Sequence, residues 1–355
     1  MGLSAILATP AVALACTFWA VEPPSEEERR AAVPPFAIMT GDALGEDFPG
    51  DAILYREGMT YFLHWAGECD EGADWPWASV SKQVVATLVM QEVERGTLAL
   101  DALAISYLPF PPAMTDDAPT IRQLLQHQSG LRNPEDSPLN ANGIPEFYAT
   151  GEHGLDWCLA GRDNPRTEGW EYNNCDYIVL GAVLEAVTGE RFAGLLNRRF
   201  REAELRQMSL PSRRPRGGIK YYDSDFPIDI SRYGPSAGLL GSVDDMIAFD
   251  RALLDGRLLS DEARETMWES DPALGYMALG QWVFELALAG CDAPVRIVER
   301  RGDIGAYEVR NFIIPERDAA LAMIVHDEDF SFGETWQADS FSNSVLSAAI
   351  CGDAA

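Results

Sequence analysis

The chain has 355 residues, 47% of them hydrophobic, so it is long enough for about two lobes around a sizeable core and is not a disordered polymer. Fifty-six Asp and Glu against 27 Lys and Arg give a formal net charge of −29, which argues against nucleic acid and against anionic membrane surfaces as partners.

From Met1 to Val21 no side chain is charged, and Ala13-Leu14-Ala15 forms an A-x-A cleavage pattern. Residues 1–15 therefore read as a signal peptide for an exported, periplasmic protein, although no Lys or Arg precedes the apolar stretch. Cleavage after Ala15 would leave Cys16 first, as in a lipoprotein. The following "VEPPSEEERRAAVPP" is acidic and proline-rich, and residues 16–35 read as a linker. No later segment is long and apolar enough to span a bilayer, so no integral membrane domain is expected. The six cysteines, Cys16, Cys69, Cys158, Cys175, Cys291 and Cys351, include no C-x-x-C pair, which speaks against zinc. Cys158 and Cys175 flank a turn and are the best local pair for a disulfide; buried thiols are the alternative.

Strand-like alternation in "DAILYREGMTYFLHWAG", broken at Glu57-Gly58, predicts a hairpin. Ser79 to about Arg95 then reads as a helix, with Val84, Val85, Leu88, Val89 and Val93 at helical spacing and Gly96 as the stop. The chain is rich in helix and loop to about residue 235. Short β-rich runs follow: "GQWVFELAL", "PVRIVERRG", "YEVRNFIIP" and "AALAMIVH". "SFSNSVLSAAI" closes the chain as a helix. Strands near both ends with helices between imply an α+β fold. Its sheet lobe, about residues 36–82 and 236–355, is an antiparallel sheet flanked by helices, and about 83–235 form a helical insertion lobe. A cleft between such lobes is a usual place for a site.

Ser79 and Lys82 are three apart at the start of a helix and share one face. An ammonium is disfavoured at a helix N-terminus, and a partly buried lysine there can lose its proton and serve the serine as a base. Alone, S-x-x-K is common by chance, and an N-cap serine beside a solvated lysine explains it equally well. Tyr172-Asn173-Asn174, at the entrance of "YIVLGAVLEAVTG", adds a phenol that can relay protons and an amide that can orient a lysine and a carbonyl. Its blander reading is a packed tyrosine and a capping asparagine.

Taken together, these stretches resemble the serine β-lactamase and penicillin-binding-protein superfamily, in its class C-like branch. "ASVSKQVVATLV" resembles the nucleophile helix, "TIRQLLQHQSGL" the branch's T-I-R-x-L-L-x-H-x-S-G-L segment, "YNNCDYIVLGAVLEAVTG" its Y-x-N helix, and "SAGLLGSVDDMIAFDRALLDGRLLS" its later turn and helix. The resemblance runs from about residue 50 to 350 and implies a β-lactamase/transpeptidase-like catalytic domain over about 36–355. The family's third element, K-T-G or H-x-G, is absent. Of the two registers, Asp303–Gly305 and Arg300–Gly302, the second keeps the spacing to the strand ending in Ile-Pro, so Arg300 takes the lysine place and Gly302 the glycine place.

The resemblance implies acyl transfer without metal or cofactor. Ser79 would attack a carbonyl, and Lys82 and Tyr172 would share the proton. The backbone N–H groups of Ser79 and Asp303 would form the oxyanion hole. Asn174 would hold the substrate amide, and Arg300 a substrate carboxylate. The expected partner is a small molecule or peptide with an ester or amide carbonyl. The altered third element puts efficient β-lactam turnover in doubt and motivates the rival reading, a non-catalytic binding or scaffold protein on the same fold. Trp75 and Trp77 would wall the cleft or pack in the core. His127 reads as a structural residue of a turn, and Ser81 as one that caps or packs beside the site.

Overall fold

The computed structural model describes residues 33–64, 75–149, 154–161, 169–205 and 230–352, together with the short strands Ala5–Ile6, Ile219–Lys220 and Pro227–Ile228. The signal-peptide and linker readings fall almost wholly outside the described residues, as do Cys16 and Cys69.

A seven-stranded sheet has the order Ala5–Ile6, Met59–His64, Gly50–Arg56, Ala319–His326, Tyr307–Ile314, Val295–Ile304, Trp282–Leu286. All its pairings are antiparallel except that of Ala5–Ile6 with Met59–His64. The hairpin turn Glu57-Gly58 has φ of 53° and 80°, the left-handed pair that a two-residue I′ turn requires. Strand Ala319–His326 joins the two ends of the chain, setting Ala322 opposite Ile53 on one side and Asn311 on the other.

Burial on both faces explains why that strand reads as a continuous apolar run. Leu321, Met323 and Val325 enter one core with Phe36, Leu346 and Ile350. Ala320, Ala322 and Ile324 enter the other with Val84 and Leu253. The first face is covered by helices Pro35–Leu44 and Phe341–Cys351. The former begins with proline at its first position, where no N–H is needed. The sequence reading ended its linker there and missed this helix. The second face carries helices Ser81–Glu94 and Val243–Leu254, and beyond them Asn174–Thr188 and Phe192–Glu202.

Ser81–Glu94 is buried continuously from Ser81 to Glu92, as a helix between two lobes must be. Cys158 is bonded to Cys175, the pair read from sequence, and Cys291 to Cys351. Among the described residues no helix is long and apolar enough to cross a membrane.

Candidate active site

The α-helix opens two residues later than its apolar spacing predicts. A 3-10 turn, Ala78–Val80, precedes it, so Ser79 stands on the turn and caps nothing. Ala78 has φ of 45°, a left-handed conformation that costs a non-glycine residue ~1–3 kcal/mol and survives where packing dictates it. The packing comes from strand Val295–Ile304. A Cβ on Gly302 would stand 2.7 Å from the Trp77 carbonyl oxygen and 2.9 Å from the Ser79 amide nitrogen. Only glycine lets this strand approach the turn so closely. Asp303 follows, opposite Glu308, with its side chain exposed.

Lys82 is wholly buried. Its Nζ lies 3.0 Å from Ser79 Oγ, 2.6 Å from the Tyr172 hydroxyl, 2.7 Å from Asn174 Oδ1 and 2.9 Å from the Ser236 carbonyl oxygen. The Ser79 and Tyr172 hydroxyls share a short hydrogen bond. Asn173, not Asn174, caps helix Asn174–Thr188, accepting the Cys175 N–H at 2.8 Å. That leaves the Asn174 amide to the site. Its Nδ2 donates to Glu135 Oε1 and to the Tyr148 hydroxyl, each at 3.1 Å, which turns Oδ1 toward Lys82.

Burial, and then the charge of Arg300, hold the Lys82 ammonium well below the usual lysine range, against the pull of Glu135 and Asp176. Burial raises the Tyr172 phenol above its usual value, partly offset by Arg300 and the bond to Ser79. Both shifts favour a neutral amine beside a protonated phenol. A neutral amine has two N–H groups and one lone pair. Asn174 Oδ1 and the Ser236 carbonyl can only accept, so they take the two N–H groups and leave the lone pair to the hydroxyls.

Arg300 lies on the same strand, with Nε donating to the Ser79 carbonyl at 2.9 Å. In this arrangement it does not present an open site for a carboxylate. Its guanidinium is fully buried, over the ring of Tyr172 at 5.8 Å and that of Trp282 at 5.1 Å. Trp77 does not wall a cleft either: it is fully buried, while half-buried Trp75 donates to Asp51 at 2.9 Å. The indole rings beside Arg300 and Arg301 are Trp282, met edge-on by Trp170, and Trp336, which sequence reading passed over. Ser81 accepts the Leu239 N–H at 3.1 Å and ties the segment carrying Ser236 to the helix. Ser236, Glu135 and Tyr148 were also missed. Ser236 lies within the quoted "SAGLLGS", but its carbonyl leaves no side-chain signal. Among the described residues no cluster of His, Cys, Asp and Glu is arranged to hold a metal.

The model of the Beta-lactamase family matches residues 38–340. The chain belongs to the Beta-lactamase family. This Beta-lactamase-family chain is 30% identical to esterase EstB of Burkholderia gladioli, over 55% of this chain and 63% of the esterase. It is 27% identical to a D-aminopeptidase of Cereibacter sphaeroides, over 51% of this chain and 36% of that protein. It thus spans less than two thirds of the length of these curated relatives. Among solved structures, D-amino acid amidase from Ochrobactrum anthropi SV3 superposes with a TM-score of 0.68 at 19% identity, covering 88% of this chain and 97% of the amidase. At that identity the likeness is one of fold, and it is the β-lactamase/transpeptidase-like class expected from sequence.

Proposed function

We propose that the protein is a serine hydrolase that cleaves an ester or amide through an acyl-enzyme on Ser79. The observation that carries this is the surroundings of Lys82, where two obligate acceptors consume the N–H groups of the neutral amine and direct its lone pair at Ser79 and Tyr172. Ser79 Oγ attacks the carbonyl carbon while Lys82 takes its proton. The oxyanion is held by the N–H groups of Ser79 and Asp303. Collapse breaks the bond to the alkoxide or amine, which leaves with the proton conveyed through Tyr172. Water then attacks the acyl-enzyme, giving one proton to the Lys82–Tyr172 pair; the acyl–Oγ bond breaks, that proton returns to Ser79 Oγ, and the acid leaves. Asn174 orients the amine and the substrate amide, and Gly302 permits the close approach.

The class C-like branch is the finer placement, supported by the order of the four motifs and the Arg300–Gly302 register. Esterase or D-amino-acid peptidase chemistry fits better than efficient β-lactam turnover, because a roofed guanidinium replaces the lysine point charge. The names of the esterase and D-aminopeptidase relatives support the same choice. Export is supported by two disulfides, which persist in oxidising compartments.

The test is labelling with a fluorescent fluorophosphonate, followed by turnover of p-nitrophenyl esters, D-amino-acid amides and nitrocefin. Wild-type protein labels and turns over esters or amides. Ser79→Ala does neither. Equal labelling of both proteins, or of neither, rejects the assignment.

A further inference from the structure

Behind Tyr172 lies a buried imidazole–carboxylate pair that the hydrolytic steps do not use. His127 and Asp176 are 1% and 0% exposed. His127 Nδ1 stands 3.1 Å from Asp176 Oδ2, and the Ser129 hydroxyl donates to the other carboxylate oxygen. The imidazole sits between two phenol rings, 4.9 Å from Tyr172 and 5.2 Å from Tyr177. Its backbone is held at φ 58°, and its carbonyl accepts the Glu171 N–H at 2.8 Å. Further contacts run along the same two segments. The Leu131 carbonyl accepts from Asn173 Nδ2. Asn133 donates to the Tyr172 carbonyl at 3.4 Å and accepts the Asn174 N–H at 3.3 Å. Residues 127–135 therefore grip residues 171–176 on both flanks of Tyr172.

Burial, with Arg300 and Lys82 nearby, keeps the His127 ring neutral, well below its usual range. Its Nδ1 faces both the Asp176 carboxylate, at 3.1 Å, and the Asn173 N–H, at 3.3 Å, so the two gripping segments meet at this nitrogen.

We propose that His127 and Asp176 are positioning residues of the hydrolase: a brace that fixes Tyr172 against Ser79 and Lys82 and sets a permanent negative charge behind the amine. This rests on the reading of Ser79, Lys82 and Tyr172 as the reacting groups. The phenol must touch two atoms at once, and misplacing it by about 1 Å costs on the order of a hundredfold in rate.

Lys82 is faced by Ser79 from its own helix entry, by Tyr172 just before helix Asn174–Thr188, by Asn174, Asp176 and Tyr177 on that helix, and by the Ser236 carbonyl. Arg300 faces it from the strand, Glu135 from the loop and His127 from behind Tyr172. Arg300 favours the neutral amine, whereas Asp176 and Glu135 favour the ammonium. Removing the charge of Asp176 therefore moves the ionisation of Lys82, and with it the acid limb of the rate, to lower pH.

The experiment measures kcat and KM of full-length Asp176→Asn on a p-nitrophenyl ester across pH, per folded site, with Ser79→Ala alongside. A fall in kcat of about 10–100-fold at nearly constant KM, with the acid limb shifted down, is the expected result. Wild-type kcat with an unmoved limb overturns the brace, as does activity lost only in proportion to unfolded protein. If Asp176→Asn does not fold, Ser129→Ala decides, because it removes one bond to the carboxylate and leaves the charge. Lowered kcat at constant KM supports the proposal, and wild-type kcat overturns it. Activity that survives Ser79→Ala overturns the hydrolase reading itself, and the brace with it.

Discussion

At Lys82 a wholly buried amine meets two carbonyl oxygens and two hydroxyls, with a guanidinium nearby that repels its charge. Because only the neutral amine can take the proton of Ser79, kcat/KM should fall on the acid side with an ionisation well below the ordinary lysine range. Replacing Arg300 with Gln removes the repulsion and should move that limb to higher pH. A pH–rate series on both proteins checks this, and a limb at the ordinary lysine value would overturn the lowered ionisation of Lys82. The residues of this reading were legible because S-x-x-K and Y-x-N are local patterns whose spacing survives folding. Glu135 and Tyr148 were not legible, since their contacts to Asn174 depend on where a loop runs. The Ser236 contact is made by a backbone oxygen, which every residue possesses.

The hydrophobic alternation located the hairpin, the later strands and the long helices, because each buries a face whose period the sequence records. It could not show the turn at Ala78, where packing against Gly302 overrides local preference. Nor could it show how elements are joined by buried polar groups. Asn311, on strand Tyr307–Ile314, donates to Gln83 at 3.0 Å and to Asp250 at 2.9 Å, linking the sheet to two helices. Burial pushes the Asp250 carboxyl well above its usual range, against the bond from Asn311. The folded state thus keeps a proton that the unfolded chain releases above the usual carboxylate pKa, and stability falls as pH rises through that window. Asp250→Asn keeps the acceptor for Asn311 and removes the need to take up a proton on folding. It should stabilise the protein at neutral pH by about 1.4 kcal/mol for each unit of elevation, with no gain below about pH 4. Denaturant titrations at the two pH values measure the difference, and an equal effect at both sinks the argument.

Over the whole molecule a net charge of −29 opposes compaction. Salt shortens the reach of that repulsion from about 10 Å at 0.1 M to about 3 Å at 1 M. Thermal unfolding should therefore shift upward on going from 10 mM to 1 M NaCl, by roughly 2–4 °C for each kcal/mol recovered. A Tm that stays level or falls would mean that local ion pairs, such as Arg199 with Glu92 and Arg301 with Glu334, outweigh the general repulsion. The same global view gives a timetable. Strand Gly50–Arg56 pairs on its inner side with Ala319–His326, and the turn bearing Ser79 is closed by Gly302. Ser79, Lys82 and Tyr172 are all translated well before either partner exists. A ribosome must pass residue 326 before these strands can pair, and such long-range pairing forms slowly. Until those strands emerge, the growing chain carries Ser79 without the strand that closes its turn.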